Sequence, residues 1–143
     1  MKEDAKKFLR KIRIERSEIR ILERKINETR LELLPGAIRY DLDKVQADPK
    51  DRMFEAIEEL AEYNIQLKKM IKKLYRDQAQ AASHIAKIPE SEQRQVLELY
   101  YLSQRNPTWD SVASEMNYSR RKVLNLHGDA LLWLNKHAAF KEK

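Results

Sequence analysis

The stretch TWDSVASEMNYSRRKVLNLHGDALLWL, residues 108–134, decides how this chain is read, because its spacing suits two short helices joined by a tight turn. Counting from Trp109, Val112 and Ala113 fall where a first helix turns its buried face toward a second. Ala113 must be small, since two helices cross closely there. Met116 closes the first helix. Asn117 then occupies a turn position that calls for the left-handed backbone conformation, which asparagine tolerates better than most residues other than glycine. Ser119 is placed to cap a new helix by accepting from its free N–H groups. Val123 and Leu126 point the apolar face of that helix back onto the first. Arg120, Arg121, Lys122 and, one turn on, Asn125 stay exposed. Cationic groups that reach guanine edges or phosphates, followed by an amide that can pair with adenine, suit the first turns of a recognition helix in the major groove. The plain alternative is a packed helix pair with a solvated basic turn. The small crossing residue, the asparagine turn and the capped basic start together favour a helix-turn-helix whose DNA contacts are Ser119, Arg120, Arg121, Lys122 and Asn125.

Upstream of this motif the chain reads as helix almost throughout. Its 143 residues hold only two glycines and four prolines, with 36% charged and 42% apolar side chains, which favours long helices with narrow apolar seams over a compact globule. A first helix is expected over residues 2–34, stopped by Leu34-Pro35-Gly36. Phe8, Ile12, Ile19, Leu22, Ile26 and Leu33 form its seam, which Glu15 and Thr29 interrupt. Lys6, Arg10, Arg13, Arg20 and Arg24 lie on its outer side, read as a solvated face. The connector 35–48 has alternating Ile38, Tyr40, Leu42 and Val45, which suggests an extended segment laid across the helices. Asp48-Pro49 opens a second helix over residues 49–87. There Met53, Ile57, Leu60, Asn64, Leu67, Ile71 and Leu74 follow a heptad that continues through Gln78, Ala81 and Ile85, the signature of a coiled coil. Asn64 at an a-type position would fix register and strand number if buried. The other reading has Asn64 and Gln78 facing solvent. The pattern leaves open whether the two long helices pair within one chain or between chains. The stripe predicts self-association, as a homodimer or higher oligomer; a monomer would mean that the two helices fold on each other as an intramolecular hairpin.

The expected organisation is therefore all-α. A helical coiled-coil or hairpin region at 1–88 serves oligomerisation, and a small helix-turn-helix domain follows at 89–143, led by a helix from Glu90 to Leu102 that carries Tyr100 and Tyr101. Net charge is +6, which favours a polyanionic partner. Residues 1–35 carry eleven Lys/Arg against seven Asp/Glu, and residues 89–143 carry eight against seven, so the positive charge of the reading half is focused at Arg120–Lys122. The absence of cysteine excludes disulfides and thiolate chemistry and fits a reducing compartment. No run approaches the roughly 18 apolar residues of a membrane span, and no signal peptide is expected. A cytoplasmic protein of a bacterial host cell is the expectation.

The segment RQVLELYYLSQRNPTWDSVASEMNYSRRKVLNLHGDALLWL resembles region 4 of housekeeping-type bacterial sigma factors, the module that reads the promoter −35 element. The likeness lies in the leading V-L-x-L-x-Y helix, the Thr108 cap, the turn, and the closing Ala130, Leu131 and Leu134. With its helical N-terminal half and the connector AIRYDLDKVQADPKDRM, the whole chain resembles small phage and prophage transcription regulators of the ArpU/RinA type from Gram-positive bacteria. That resemblance implies control of phage transcription through double-stranded DNA, with base contacts on Arg120, Arg121 and Asn125 and Lys122 near the phosphates. It also implies RNA polymerase as a second partner, since the sigma module engages both. Sigma region 4 commonly has an acidic residue where this chain has Arg121 and a basic one where it has Leu124, so the −35 preference does not carry over. Gly128 sits inside the expected recognition helix, where it would let that helix approach the one beginning at Glu90.

No catalytic, cofactor or metal site is expected. His84, His127 and His137 lack ligand spacing and read as surface or helix-end residues. The carboxylates are spread over helix faces, and two glycines make no phosphate loop. The function expected from the sequence is a sequence-specific DNA-binding transcription regulator and not an enzyme. The alternatives are a sigma-like adaptor that binds RNA polymerase and a DNA-packaging protein of the small-terminase kind. Packaging proteins usually place their DNA-binding part first, the reverse of the order here.

Overall fold

A computed structural model describes residues 4–34 and 49–141. They form five helices: α1 (Ala5–Glu32), α2 (Pro49–Ile85), α3 (Ser91–Tyr101), α4 (Trp109–Met116) and α5 (Arg120–His137). The fold is all-α, with no β-strand among the described residues. The expected extended segment at 35–48 lies outside them. Proline fits the first position of α2, where its missing N–H would have no helical acceptor. At the other end α2 tightens, Lys87 N–H donating to the His84 carbonyl at 3.2 Å and Ile88 N–H to that of Ile85 at 3.0 Å. The Arg94 guanidinium then donates to the Ile88 and Pro89 carbonyls, in the link between α2 and α3.

The chain divides into two compact units, but not at residue 88. One unit joins residues 1–17 to 73–143, and the other spans 18–72. The first turns of α1 therefore belong with the C-terminal helices and not with a separate coiled coil. The reason is apolar packing. Phe8, Leu9 and Ile12 are fully buried, as are Ile85, Leu97, Leu134 and, nearly so, Phe140. The Phe8 and Phe140 rings stack at 4.6 Å, and His84 meets Phe140 edge-on at 4.8 Å. Polar contacts complete the join. Ala5 N–H donates to Asn135 Oδ1 at 2.9 Å, while Gln80 bonds the Lys141 backbone twice, at 3.1 and 2.7 Å.

In the unit spanning 18–72, the C-terminal half of α1 lies beside the N-terminal half of α2 within one chain. Ile19, Leu22, Ile26 and Thr29 are buried, opposite Ala56. Leu60, Tyr63, Leu67, Met70 and Ile71 are half-buried, and Arg52 reaches Glu32 at 3.6 Å. The expected heptad on α2 is thus displaced by part of a turn. Leu60, Leu67, Ile71 and Leu74 share the seam, whereas Met53, Ile57 and Asn64 stay exposed. Ala56 and Tyr63 take the inward places instead, because the partner helix is α1 and its seam sets the contact line. Thr29 does not break that seam. Its hydroxyl donates to the Lys25 carbonyl at 2.9 Å, which satisfies it in place.

Glu15, the other interruption in the α1 seam, sits in a buried charged group of the first unit. Lys73 Nζ donates to Glu15 Oε1 at 2.9 Å and lies 3.9 Å from Asp77 Oδ2. Two buried carboxyl groups thus face one ammonium, and Glu15 Oε2 and Asp77 Oδ2 have no hydrogen-bond partner of their own. Burial, then the neighbouring Asp77 carboxyl, pushes the Glu15 carboxyl up to about 7. The folded state therefore holds this proton more firmly than the unfolded chain. The resulting stabilisation is complete below the ordinary value of 4.5 and is lost as pH rises through 7. Glu15→Gln, permanently uncharged, is expected to remove that decline. Thermal melts of both proteins at acidic and alkaline pH check this, and equal pH slopes would contradict it.

Gly128 corrects a second expectation. It is exposed, and a Cβ built on it meets no atom within 4 Å, so no close helix approach requires glycine there. Its helical position still costs about 1 kcal/mol relative to alanine. Gly128→Ala should therefore raise stability by about that amount, as chemical denaturation would report. No gain would mean that the backbone departs from helix at this point.

Candidate nucleic-acid interface

The α4–α5 pair and the turn between them assemble from local chemistry that the sequence spells out. Thr108 caps α4, its hydroxyl accepting from Ser111 N–H at 3.1 Å. Asn117 has φ 58° and ψ 39°, the left-handed conformation, and is the only non-glycine residue with positive φ among those described. The turn closes with Asn117 N–H on the Ser114 carbonyl and Tyr118 N–H on that of Ala113, at 3.2 and 3.0 Å. Ser119 then caps α5 by accepting from Lys122 N–H at 3.2 Å. Val96, Val112, Ala113 and Val123 form the buried centre, with Leu99, Tyr100, Trp109, Met116, Tyr118 and Leu126 packed around it.

Beneath this motif lies an aromatic platform tied to α1. Tyr100 stacks on Trp109 with ring centroids 3.7 Å apart. The Arg13 guanidinium covers Tyr100 at 3.8 Å and donates to the Tyr100 and Pro107 carbonyls at 2.7 and 3.0 Å. Arg16 donates to Asn106 Oδ1 at 2.8 Å and to the Tyr101 carbonyl at 2.9 Å. Asn106 Nδ2 in turn donates to the Arg13 carbonyl at 2.8 Å and to Ser17 Oγ at 2.9 Å. Arg13, expected on a solvated face, is therefore a brace for the loop that leads into α4.

His127 is also displaced from its expected place at the surface. It is buried, its Nε2 lying 2.7 Å from the Tyr101 hydroxyl. Burial, and then nearby Lys6, push its imidazole down to about 4. Burial likewise raises the Tyr101 hydroxyl, so both groups are neutral at pH 7. This histidine's contribution to stability is present above 6.5 and is lost as pH falls toward 4, opposite in sign to that of Glu15.

On α5, Val123, His127, Ala130, Leu131 and Leu134 are buried. Because helix positions advance by about 100° each, the side opposite them carries Arg121, Asn125, Gly128 and Leu132. All four are exposed. Ser119, Arg121, Lys122, Asn125, Leu126 and Asp129 line one shallow open depression there. Arg121 and Asn125 make no ion pair or side-chain hydrogen bond among the described residues, so their polar groups are available to a ligand. Arg120 lies to one flank, its Nε 3.9 Å from Asp110 Oδ1. Lys122 lies to the other, its ammonium 4.4 Å over the Tyr118 ring. Tyr118 is held in turn by donating to Glu92 Oε1 at 2.5 Å, and that bond raises the pKa of its hydroxyl.

All five expected contact residues are thus exposed at the start of α5, but they divide into two outward-facing polar side chains, two cations with neighbours on the motif, and a cap. Two residues that shape the site were not singled out from the sequence. Tyr118 is one, and its spacing of four before Lys122 was a usable signal. Asp110 is the other; it meets Arg120 across the motif, and no local pattern marks it. Among the described residues no group of His, Cys, Asp or Glu is placed to hold a metal ion, and no helix is long and apolar enough to cross a membrane. Comparisons with protein-family models, curated proteins and solved structures gave no match.

Proposed function

We propose that this chain is a sequence-specific DNA-binding transcription regulator of phage or prophage type, oligomeric, that reads double-stranded DNA with the start of α5. The observation that carries the proposal is the pairing of a motif-perfect turn with an unpartnered reading face. Asn117 adopts the left-handed conformation, Ser119 caps the helix, and Arg121 and Asn125 project one turn apart on the side facing away from the core. An arginine fork suits guanine O6 and N7, and an asparagine amide suits adenine N6 and N7. Arg120 and Lys122, on either flank, suit the phosphates that border a groove. Selection from a pool of random DNA duplexes tests the reading. Enrichment of a short common motif is expected, with affinity falling steeply as salt rises. A pool that stays unenriched while the protein remains helical would refute it.

A further inference from the structure

The outer side of α2 carries charge in two blocks that repel themselves. From Met53 to Leu67 the helix has Glu55, Glu58, Glu59 and Glu62 and no basic residue; Lys68, Lys69 and Lys72 then follow with no acidic one. Glu55 and Glu59, Glu58 and Glu62, and Lys68 and Lys72 are therefore like-charged neighbours four apart, an arrangement that weakens a lone helix. All seven are exposed, and none has an ion-pair partner among the described residues. Beside these charges runs an unpartnered apolar stripe at helical spacing: Phe54 is 65% exposed, Ile57 49% and Ile65 59%, with exposed Ala61 between them.

We propose that this face of α2 binds the same face of a second copy of the chain, with the two helices antiparallel and their two-fold axis near Ile65. That geometry sets Glu62 of each copy against Lys69 of the other, and Glu58 against Lys72. A parallel pair would instead set glutamate against glutamate and lysine against lysine. The two blocks have opposite sign and lie at similar distances on either side of Ile65, so a second copy is the partner that satisfies both at once. At the axis Ile65 meets its mate, and the rest of the stripe in each copy lies along the aliphatic stems of the other's lysine block. The inference deepens the oligomeric part of the proposed function and stands apart from its DNA part.

Light scattering of the full chain at micromolar concentration should give a dimer at low salt that dissociates as salt is raised. Glu58→Lys with Glu62→Lys should be monomeric, as should Lys69→Glu with Lys72→Glu, and a mixture of the two variants should restore a one-to-one dimer. Because the chain has no cysteine, orientation can be read directly. Ile65→Cys should cross-link to its mate under mild oxidation, while Phe54→Cys, far from the axis, should not. A monomeric wild type, a dimer indifferent to the charge reversals, or cross-linking through Phe54→Cys equal to that through Ile65→Cys would each overturn the proposal. DNA selection by such a monomer would leave the DNA reading standing.

Discussion

Arg121→Ala combined with Asn125→Ala is expected to abolish the distinction between an operator and random DNA while leaving the helical circular dichroism unchanged. Both side chains are exposed on the outward side of α5, so their loss costs the fold little. Each good bidentate base contact discriminates by about 1–3 kcal/mol. Losing two should lower specific affinity by between about thirtyfold and about twenty-thousandfold. The flanking cations should behave differently. Arg120 is shared with Asp110, and Lys122 rests over Tyr118. Lys122→Ala should weaken all sequences alike and reduce the salt slope by about one unit. Binding titrations on operator and scrambled duplexes separate the two behaviours. If the double variant still selects its operator, α5 is not the reading helix.

A comparable loss, this time of stability, is expected at the other end of the chain. Phe8→Ala should cost about 3–5 kcal/mol, the range for removing a fully buried aromatic side chain. Phe8 has no exposed surface and stacks on Phe140, and its neighbours Leu9 and Ile12 are equally buried. Against a typical domain stability of about 5–15 kcal/mol, that loss takes much of what holds the unit together. By the same argument, a fragment of residues 89–143 should not melt cooperatively. It would lack Phe8, Leu9 and Ile12 from the core and the Arg13 and Arg16 guanidinium groups from the Tyr100, Tyr101 and Pro107 carbonyls. Urea unfolding of the variant and the fragment beside the full chain measures both effects. A fragment as stable as the full chain would show that α1 is dispensable to the C-terminal unit.

Both expectations bear on how much of this protein its sequence declared. The helices, their caps and the turn were legible because each depends on residues a few positions apart. Thr108 and Ser119 accept from N–H groups three residues on, and Asn117 adopts its backbone conformation from intrinsic tolerance. The exposed residues at the start of α5 followed from the same periodicity, once Val123 and Leu126 marked the inward side. On α2 the heptad places Leu60, Leu67, Ile71 and Leu74 on the seam where they lie, but it adds Met53, Ile57 and Asn64 in place of Ala56 and Tyr63. Periodicity alone cannot choose between the two flanks of a stripe before the partner helix is known. His127 and Arg13 were misplaced for a related reason. Nothing near them in the chain announces Tyr101, 26 residues away, or Tyr100, 87 residues away.

The sequence by itself thus determined the all-helical fold, the left-handed turn and the basic start of α5, all consequences of short-range backbone and capping chemistry. Only the tertiary structure decided which helices share a core. It joined the first turns of α1 to α3, α4 and α5, and it put two carboxyl groups against Lys73. It also set Arg120 beside Asp110 and Lys122 over the Tyr118 ring. Those outcomes depend on which apolar faces meet and on which buried polar groups find partners across long stretches of chain, and that competition is settled only when all the helices pack together.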